Sequence, residues 1–529
     1  MARQGSEKRV GPKRSFPFLG VGSVASRVKR IIGVAWGLWA CSTDPLPDLG
    51  LVAEAGPDGG PAEVGSQDSG GRDLGPLDGG DDGGAPDGGS GLSLGVLQFR
   101  LRHNLVDDRC LARGDCALTI EAPVDELPAW LGELSAASTQ AVLHYDRALP
   151  WAAFSVDAPT GQDLVAFYDL RLDAELRAYL DAFQRHFAGY QERYLAVSIL
   201  DGTRDRLAPM RGADGTTAPT PERCTSLTAT TTLDFGSGPI EIRPAYRRFL
   251  RYLVQKLGPT RLGLLVEINL YRAFCPQAWP GMVDLYHHLY QSLRDELPPT
   301  APIFATFTMA DLLGYRGDRC NPPTFGLCGT PPPTPPTLAE ATCYPLDRAP
   351  IDDLDRDGHL DLLALSFYPD GLGMAPPGVP EAKLLAFPPN SDGAGPCYAH
   401  AARSPMLDPF VALERLAWTK PIALAEWSAR SCSTYAWWAA PEQTFLMRFE
   451  GSPAEQSYWL QRILGLARQG HFLFLNYSFL ADYAPIGPWM PRQGAMDGLI
   501  YTLFNGWACS GLVDELSVPK PGIRELWQP

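Results

Sequence analysis

Short, continuously apolar runs recur eight times along this chain, and stretches with helical spacing of apolar residues separate most of them. Such runs are typical of strands that are buried on both faces of a parallel sheet. Helical spacing is clearest in 173–190, 245–258, 282–297 and 455–470. The predicted strands cover residues 94–101, 140–146, 194–200, 262–269, 302–308, 361–368, 421–427 and 471–479.

Strand–helix alternation repeated eight times predicts an α/β fold, a (β/α)8 TIM barrel formed by residues 94–529. A body of this length is large for a single domain but ordinary for a barrel with loop insertions. A doubly wound open sheet is the alternative, although such a sheet does not need eight repeating units.

The N-terminal residues 1–41 have the pattern of an export signal. A basic region is followed by ten apolar residues, IIGVAWGLWA, and then by Cys41. The apolar stretch is too short to span a bilayer but fits the hydrophobic region of a signal. Its ending, LWAC, resembles the lipobox of bacterial lipoproteins, which implies a lipid anchor at Cys41 and, with Ser42 next, the outer membrane or cell surface. An ordinary cleaved signal or a single anchor helix is the alternative.

Residues 42–93 are predicted to be a disordered linker rich in glycine, aspartate and proline. They hold fifteen glycines, eleven acidic residues, one arginine and no aromatic residue. Such a segment cannot bury enough apolar surface to offset the entropy lost on ordering. The signal carries a charge of +7 and the linker −10, which leaves −12 of the net −15 for the body. An acidic body of this kind predicts no nucleic-acid partner.

Ten cysteines remain beside Cys41, and an even number in an exported chain predicts disulfides. Their spacing matches neither a zinc site nor a haem attachment site, and it does not determine which cysteines pair. The ten are Cys110, Cys116, Cys224, Cys275, Cys320, Cys328, Cys343, Cys397, Cys432 and Cys509.

Two predicted strands end in a glutamate. The seventh, in KPIALAEW, runs from apolar residues directly to Glu426, and the fourth, in LGLLVEIN, has Glu267 at the same place. The C-terminal ends of barrel strands converge on one mouth, so these two carboxylates are predicted to face each other. Retaining glycosidases need such a pair, one a proton donor and the other a nucleophile.

These segments resemble the clan A retaining glycoside hydrolases, and LALSFYPDG and KPIALAEW are similar to the sixth and seventh strands of its β-1,4-galactanase family. The resemblance implies that Glu267 is the acid/base, that Glu426 is the nucleophile, and that Tyr368 hydrogen-bonds the nucleophile. One residue departs from the pattern. Val266 stands where the clan has an asparagine that holds the sugar 2-hydroxyl, and Asn269 lies too far along to replace it simply.

Other polar and aromatic residues near the predicted strand ends are candidates for contacts with substrate. Aromatic rings stack well on the faces of sugars, although packing within loops is an equally good interpretation for them. For His144 the alternative is a structural hydrogen bond. Asp201, Arg204 and Asp205 follow the third predicted strand, and for them the alternative is a cluster of ion pairs at the surface. The candidates for substrate binding are Asn269, His144, Asp146, Trp151, Trp427 and Tyr477.

A second motif, DLDRDGHLD, precedes the sixth predicted strand. Aspartates at alternate positions with a glycine at the sixth are typical of loops that wrap Ca²⁺ in oxygen ligands. A structural Ca²⁺ is therefore predicted, with a solvated acidic turn as the alternative. The predicted ligands are the side chains of Asp353, Asp355, Asp357 and Asp361 and the carbonyl of His359.

No glycine-rich phosphate loop, HExxH helix or nucleophile elbow is present in the sequence, so no organic cofactor is predicted. The sequence thus predicts an exported, lipid-anchored barrel that hydrolyses a β-linked, galactan-like polysaccharide with retention of configuration. The alternative is a catalytically inactive surface lipoprotein whose barrel binds glycans or serves in adhesion.

Overall fold

The computed structural model describes most of the predicted barrel. The described residues are 92–97, 127–202, 204–220, 222–235, 238–313, 324–325, 346–369, 399–400, 409–432, 434–440, 443–449, 452–480, 482, 509–513, 519–520, 522–523 and 525–527. The export signal with Cys41, nearly all of the linker and six of the ten other cysteines lie outside these residues, so the predictions for them stay predictions.

Eight parallel strands form one sheet, and each of its seven pairings joins strands that run in the same direction. The order around the sheet is β1, β8, β7, β6, β5, β4, β3, β2, which is the sequential order of a (β/α)8 TIM barrel. The strands are β1 (Ser93–Val96), β2 (Ala141–Tyr145), β3 (Arg193–Val197), β4 (Arg261–Leu265), β5 (Ile303–Thr308), β6 (Leu363–Phe367), β7 (Ile422–Trp427) and β8 (Phe474–Tyr477).

The seam between β1 and β2 is joined by the residues just before β2. The backbone N–H groups of Thr139 and Gln140 donate to the Leu94 carbonyl at 2.7 and 3.2 Å. The Leu94 N–H donates in turn to the Thr139 hydroxyl at 2.8 Å. The eight predicted strands and the predicted fold class are therefore confirmed, and the open-sheet alternative is wrong.

Helices follow the strands, and the four predicted from apolar spacing are confirmed with ends shifted by one to three residues. Side chains cap two of the long ones: Asp173 accepts from the Leu176 N–H at 3.0 Å, and Ser452 from the Glu455 N–H at 3.3 Å. No helix in the described part of the chain is long and apolar enough to cross a membrane. The helices are α1 (Leu127–Ser135), α2 (Leu164–Asp169), α3 (Ala174–Ala188), α4 (Ile242–Leu257), α5 (Ile268–Phe274), α6 (Trp279–Arg294), α7 (Met309–Leu312), α8 (Ala349–Leu354), α9 (Pro409–Glu414) and α10 (Pro453–Arg468).

Short antiparallel strand pairs, which the sequence did not predict, lie in the connections of the described part of the chain. Met210–Arg211 pairs with Thr217–Ala218, and Thr232–Asp234 pairs with Pro239–Glu241, both between β3 and α4. The remaining pairs are Thr324–Phe325 with Ala399–His400 and Thr434–Ala440 with Gln443–Phe449. The long connections of this barrel thus add structure outside the eight-strand sheet.

A buried arginine closes the N-terminal end of the barrel. Arg261, the first residue of β4, donates to the Gln140 side-chain oxygen and to the Ser93 hydroxyl, the latter at 3.2 Å. Its guanidinium carbon lies 4.9 Å from the Phe474 ring centre. The Gln140 amide donates to Asn476 at 2.6 Å, and Arg261 Nη2 lies 3.1 Å from the carboxylate of Glu192, whose side chain is 45 % exposed. The buried members of this network beside Arg261 are thus neutral groups.

Two disulfides are present among the described cysteines, in accord with the predicted use of cysteine. Cys224–Cys275 joins the connection after β3 to the residue that follows α5, and Cys432–Cys509 joins the connection after β7 to a C-terminal segment. Both bridges brace connections at the C-terminal end of the barrel.

Candidate active site

Glu267 and Glu426 both lie at the C-terminal end of the barrel. Glu426 is the fifth of the six residues of β7 and is 7 % exposed. Glu267 follows β4 by two residues and has a left-handed backbone, with φ 48° and ψ 42°, just before α5. The strand predicted over 262–269 therefore ends at Leu265, and Glu267 belongs to the turn that follows it.

A break in register precedes each glutamate. Pairing between β6 and β7 shifts after Leu424, so that the next paired residue of β7 is Glu426 itself. Pairing between β4 and β5 shifts after Gly263, so that the next paired residue of β4 is Leu265. An extra residue in a strand re-aims the side chains beyond it. Both glutamates thus follow a local irregularity in an otherwise regular barrel.

Arg204 joins Glu267 to Asp146. Its Nε and Nη2 donate to Glu267 Oε2 at 3.2 and 3.1 Å, while Nη1 and Nη2 donate to the two Asp146 oxygens at 3.1 and 2.7 Å. Nη1 also donates to the Ser198 hydroxyl at 3.2 Å. Burial opposes the charge of Arg204, but the carboxylates of Asp146, Glu267 and Glu426 raise its pKa above the usual value.

Strand β5 supplies two hydroxyls to Glu267. The backbone N–H of Glu267 donates to the Thr306 hydroxyl at 2.8 Å, and the Thr308 hydroxyl lies 3.4 Å from Glu267 Oε1. Together with Arg204, these contacts give both carboxyl oxygens of Glu267 a hydrogen-bond partner.

Two neutral side chains, His144 and Tyr368, contact the Glu426 carboxyl. His144 Nδ1 lies 3.4 Å from Glu426 Oε2, and burial lowers the pKa of His144 to about 4. The Tyr368 hydroxyl donates to Glu426 and contacts the Ser478 hydroxyl at 2.8 Å. Burial and the charge of Glu426 raise the pKa of Tyr368 well above its usual value, so Tyr368 stays a donor.

Burial and the negative charge of Glu267 raise the pKa of Glu426 to about 8, and the Tyr368 hydroxyl and the Arg204 charge only partly oppose this shift. The raised pKa of Glu426 favours the protonated form of its carboxyl near neutral pH. The site thus places this carboxyl close to that of Glu267, which accepts hydrogen bonds from Arg204.

Asp146 and His144 were predicted at this mouth, and the structure places both there, with His144 within β2 and Asp146 directly after it. Tyr368 directly follows β6 and contacts Glu426, as predicted from the resemblance. Both carboxylate oxygens of Asp146 accept hydrogen bonds from Arg204, so the Asp146 side chain holds Arg204 in place.

Four of the predicted substrate-binding residues are buried and have internal packing or hydrogen-bond partners. Trp427 and Tyr477 are 0 % exposed and pack edge to face at 4.8 Å between ring centres. Trp151 is 2 % exposed and donates to the Ala208 carbonyl at 3.1 Å.

Asn269, the fourth, is engaged at both ends of its amide. It donates to the Thr308 carbonyl at 3.0 Å and accepts from the Thr308 N–H at 2.8 Å. Because these backbone bonds use the polar atoms of Asn269, the side chain ties α5 to β5 rather than facing a substrate. These internal contacts favour packing and structural hydrogen bonds, the alternative interpretation, and contact of the four residues with a substrate stays a prediction.

Arg204 is the functional residue that sequence reasoning missed. Its position after the third strand suggested a surface ion pair, yet the side chain is 7 % exposed. Its φ of 59° is a conformation that non-glycine residues seldom adopt. The one feature of the sequence that could have indicated Arg204 is its position shortly after a barrel strand. Asp205 shares this position but contacts Arg206 and Arg223 instead.

The predicted calcium loop does not form a cage. Asp353 accepts from the Trp279 ring N–H at 2.7 Å, and Asp355 contacts the Lys420 ammonium at 2.5 Å. These carboxylates are directed toward different donors rather than toward one point.

The rest of the loop is engaged in the same way. Asp361 accepts from the Tyr290 hydroxyl at 2.7 Å and from the Arg294 guanidinium at 3.1 Å. The His359 carbonyl accepts from the Tyr286 hydroxyl at 2.8 Å, while Asp357 sits in a left-handed turn with φ 61°. In the described part of the chain, no group of three or more histidine, cysteine or acidic side chains could hold a metal ion. The residues present therefore do not fit Ca²⁺.

No protein-family model matches the chain, and no curated protein matches it in sequence. Several solved structures are similar to it. An exo-β-1,4-mannosidase from Opitutaceae bacterium strain TAV5 is 14 % identical with a TM-score of 0.40, over 76 % of this chain and 54 % of that one. A β-glycosidase from Thermosphaera aggregans is 12 % identical with a TM-score of 0.39, over 80 % and 89 %.

A β-D-glucuronidase from Dictyoglomus thermophilum is 11 % identical with a TM-score of 0.27, over 54 % of this chain and 35 % of that one. The chain thus spans about half of the mannosidase and a third of the glucuronidase. At these identities the likeness concerns the fold alone.

Proposed function

We propose that this barrel is a retaining glycosidase that hydrolyses β-linked polysaccharide, with Glu267 as acid/base and Glu426 as nucleophile. One observation carries the proposal: glutamates from β4 and β7 meet at the C-terminal end of the barrel closely enough for the charge of one to raise the pKa of the other. Barrel enzymes have their active sites at this end.

The first chemical step breaks the glycosidic bond. Glu267 gives its proton to the leaving oxygen while Glu426 attacks the anomeric carbon and forms a glycosyl ester. Glu426 must be ionised to attack, so the bound substrate has to favour the ionised form of a carboxyl whose pKa is raised in the free protein.

The second step reverses the roles of Glu267. As a carboxylate it takes a proton from water, and the water oxygen attacks the anomeric carbon and releases Glu426. The Tyr368 hydroxyl, which already donates to Glu426, stabilises its ionised form before attack and after release. This cycle restores both glutamates and consumes one water for each bond cleaved.

A galactan-like substrate is the finer part of the proposal, and it follows from the resemblance of the sixth and seventh strand segments. Activity on galactans, xylans and glucans should be screened with the wild type, Glu267→Gln and Glu426→Gln. Glu175→Gln is the matched control because Glu175 lies on α3 with a 60 % exposed side chain. We expect reducing ends to be released by the wild type and the control alone. Equal release by all four proteins would contradict the proposal.

A glycan-binding barrel without activity is the second candidate, and Val266 favours it. Val266 is 1 % exposed and apolar, so it cannot hold the sugar 2-hydroxyl as an asparagine would. Loss of one such bond in a transition state costs roughly a hundredfold in rate. Calorimetric binding of an oligosaccharide by the wild type, with no hydrolysis after days, would support this candidate.

We also propose that Cys41 is lipidated and that the protein is held at the outer membrane or cell surface. The support is the signal-like pattern of residues 1–41. Metabolic labelling with a fatty-acid probe should mark the wild type but not Cys41→Ser, and labelling of both would contradict the anchor.

A further inference from the structure

Glu267 has a backbone conformation that a glutamate does not favour by itself. Its φ of 48° and ψ of 42° lie in the left-handed region, where the Cβ atom crowds the following carbonyl oxygen. A strained residue of this kind persists only where its surroundings hold it, and such residues cluster at functional sites. The contacts that hold the Glu267 backbone therefore determine where its carboxyl lies.

The first of these contacts is made by a hydroxyl of β5. The paired residues of β4 and β5 end at Leu265 and Ala305. Two residues later, the Glu267 N–H donates at 2.8 Å to the side chain of Thr306, which is 0 % exposed. A side chain thus continues the connection between β4 and β5 past the last paired residues, at the residue with the strained backbone.

The second contact is made by the amide of Asn269, which is 4 % exposed. It accepts from the Thr308 N–H at 2.8 Å and donates to the Thr308 carbonyl at 3.0 Å, so it bonds both backbone groups of one β5 residue. The Thr308 hydroxyl in turn lies 3.4 Å from Glu267 Oε1. Asn269 therefore fixes the start of α5 against β5 and also fixes the residue that contacts the Glu267 carboxyl.

The other end of α5 is attached separately. Cys275, which directly follows the helix, is bonded to Cys224, and the Tyr271 hydroxyl donates to the Thr225 carbonyl at 2.6 Å. These attachments do not involve Asn269 or Thr306. Loss of either side chain should therefore release the Glu267 end of α5 while the helix itself stays bound to the barrel.

We propose that Asn269 and Thr306 are positioning residues, which together hold Glu267 in its left-handed conformation and so place its carboxyl for reaction. Both act through Glu267 rather than on the sugar. The catalytic consequence rests on the proposed function, in which Glu267 is the acid/base, whereas the effect on the Glu267 backbone does not.

The dependence of the rate on the leaving group separates a misplaced acid from general damage. The alcohol of a second sugar needs a proton from Glu267 in order to leave, whereas 2,4-dinitrophenolate leaves without one. A displaced Glu267 should therefore lower kcat/KM for an oligosaccharide and spare kcat/KM for a dinitrophenyl glycoside. For the latter substrate kcat and KM should fall together, because the second step still needs Glu267 as a base.

The kinetic test uses β-1,4-galactotriose and 2,4-dinitrophenyl β-galactoside with Asn269→Ala and with Thr306→Val, which keeps the shape of threonine. We expect each variant to lower kcat/KM for the trisaccharide by about 10²-fold, the loss that a displacement of about 1 Å produces. For the dinitrophenyl galactoside we expect kcat/KM within about threefold of the wild type. Equal losses on both substrates, or a wild-type kcat/KM for the trisaccharide in both variants, overturn the inference.

Two further variants serve as controls. Thr306→Ser keeps the hydroxyl that accepts from the Glu267 N–H, and we expect it to recover most of the activity that Thr306→Val loses. Gln255→Ala removes an exposed amide from α4, and we expect wild-type kinetics on both substrates. A loss in Thr306→Ser as large as in Thr306→Val overturns the role of the hydroxyl.

Crystal structures of the variants test the backbone without any substrate. We expect Asn269→Ala and Thr306→Val to move the Glu267 carboxyl by about 1 Å or more, and the controls to keep φ near 48°. If one of the two variants does not fold, the other gives the same test. An unmoved carboxyl on a left-handed Glu267 in every folded variant overturns the inference. Absence of hydrolysis by the wild type refutes the proposed action on galactosides alone, and the crystal structures then decide this inference.

Discussion

The two ends of this barrel each bury an arginine, and the partners of the two arginines differ. Arg261 at the N-terminal end meets Gln140, Ser93, the Phe474 ring and a half-exposed carboxylate, Glu192, and burial lowers its pKa although Glu192 opposes the shift. Arg204 at the C-terminal end meets carboxylates, and its pKa is raised. The network around Arg261 is made mainly of neutral groups, whereas the network around Arg204 contains several carboxyl groups.

This difference separates structural from chemical use of a buried charge. Arg261 donates to neutral side chains, and its carboxylate partner, Glu192 at 3.1 Å, has a 45 % exposed side chain. The carboxylates around Arg204 include Glu426, whose pKa lies near 8. A buried arginine alone therefore does not mark an active site, and neither do two acidic partners, since Arg211 bonds both Asp173 and Glu175. Arg204 differs in that its partners lie at the C-terminal end of the barrel strands beside Glu426, whose pKa is raised.

The largest effect is expected at the C-terminal end. Glu426→Gln should lower kcat/KM of the proposed hydrolysis by about 10⁴-fold, since glutamine can neither attack nor leave as a carboxylate. Its thermal stability should not fall, because a buried carboxyl is replaced by a neutral side chain of the same shape.

The pH dependence of this variant has a definite sign. The pKa of Glu426 rises from 4.5 to about 8 on folding, so the folded chain binds more protons between these values. The stability that this group contributes is full below pH 4.5 and is lost as pH rises through 8. Glu426→Gln should therefore gain on the wild type by up to roughly 5 kcal/mol over this window in chemical denaturation. A constant difference between the two proteins from pH 5 to 8 would contradict the raised pKa.

The second largest effect is expected from loss of the Cys224–Cys275 disulfide. Cys224 accompanies Asp205, whose carbonyl accepts its N–H at 2.7 Å, and Cys275 ends the helix that begins after Glu267. Opening this loop of 51 residues in Cys224→Ser/Cys275→Ser should cost about 4 kcal/mol of unfolding free energy.

The same variant should also move the pH profile of kcat/KM, since the bridge joins the connection that holds Arg204 to the helix after Glu267. Cys432→Ser/Cys509→Ser is the matched control, with a loop of 77 residues and a similar expected cost. An equal change of the pH profile in both variants would show that the bridge has no special link to Arg204.

The N-terminal end should show a smaller effect, on stability alone. Arg261→Met leaves the Gln140 oxygen without its guanidinium donor, at a cost of about 1–3 kcal/mol in denaturant unfolding. We expect kcat/KM of the folded variant to stay within about twofold of the wild type. A loss of activity comparable with that of Glu267→Gln would break the distinction between the two ends.

The smallest effect concerns the acidic loop before β6. Its carboxylates already accept from Trp279, Lys420, Tyr290 and Arg294, so added Ca²⁺ would have to displace these donors. We expect chelator and millimolar Ca²⁺ to give the same Tm in differential scanning calorimetry, with Mg²⁺ as the control. A rise in Tm with Ca²⁺ alone would restore the cation site predicted from the sequence.

The strands and the two glutamates could be predicted because they depend on local sequence. A buried parallel strand needs continuous apolar residues, and a charge at its end is visible against them, as at Glu426. The barrel then fixes which strand ends meet. Arg204 could not be predicted, since its burial depends on the connection after β3 folding back over Asp146.

The predictions that the structure does not support have the same origin. Trp427 and Tyr477 were expected to bind a sugar because aromatic residues near strand ends do so, but their burial depends on packing against each other and Trp527. The acidic loop was expected to bind Ca²⁺ from its spacing, but spacing does not reveal that Lys420 and Arg294 reach the same carboxylates from other elements.

The central claim is that Glu426 forms a bond to the sugar while Glu267 moves the proton. Incubation with an activated 2-deoxy-2-fluoro-β-galactoside, followed by peptide mass spectrometry, tests it most directly. We predict one fluorosugar on the peptide that contains Glu426, and none in Glu426→Gln. An adduct on the peptide that contains Glu267, or undiminished hydrolysis by Glu426→Gln, would contradict the account.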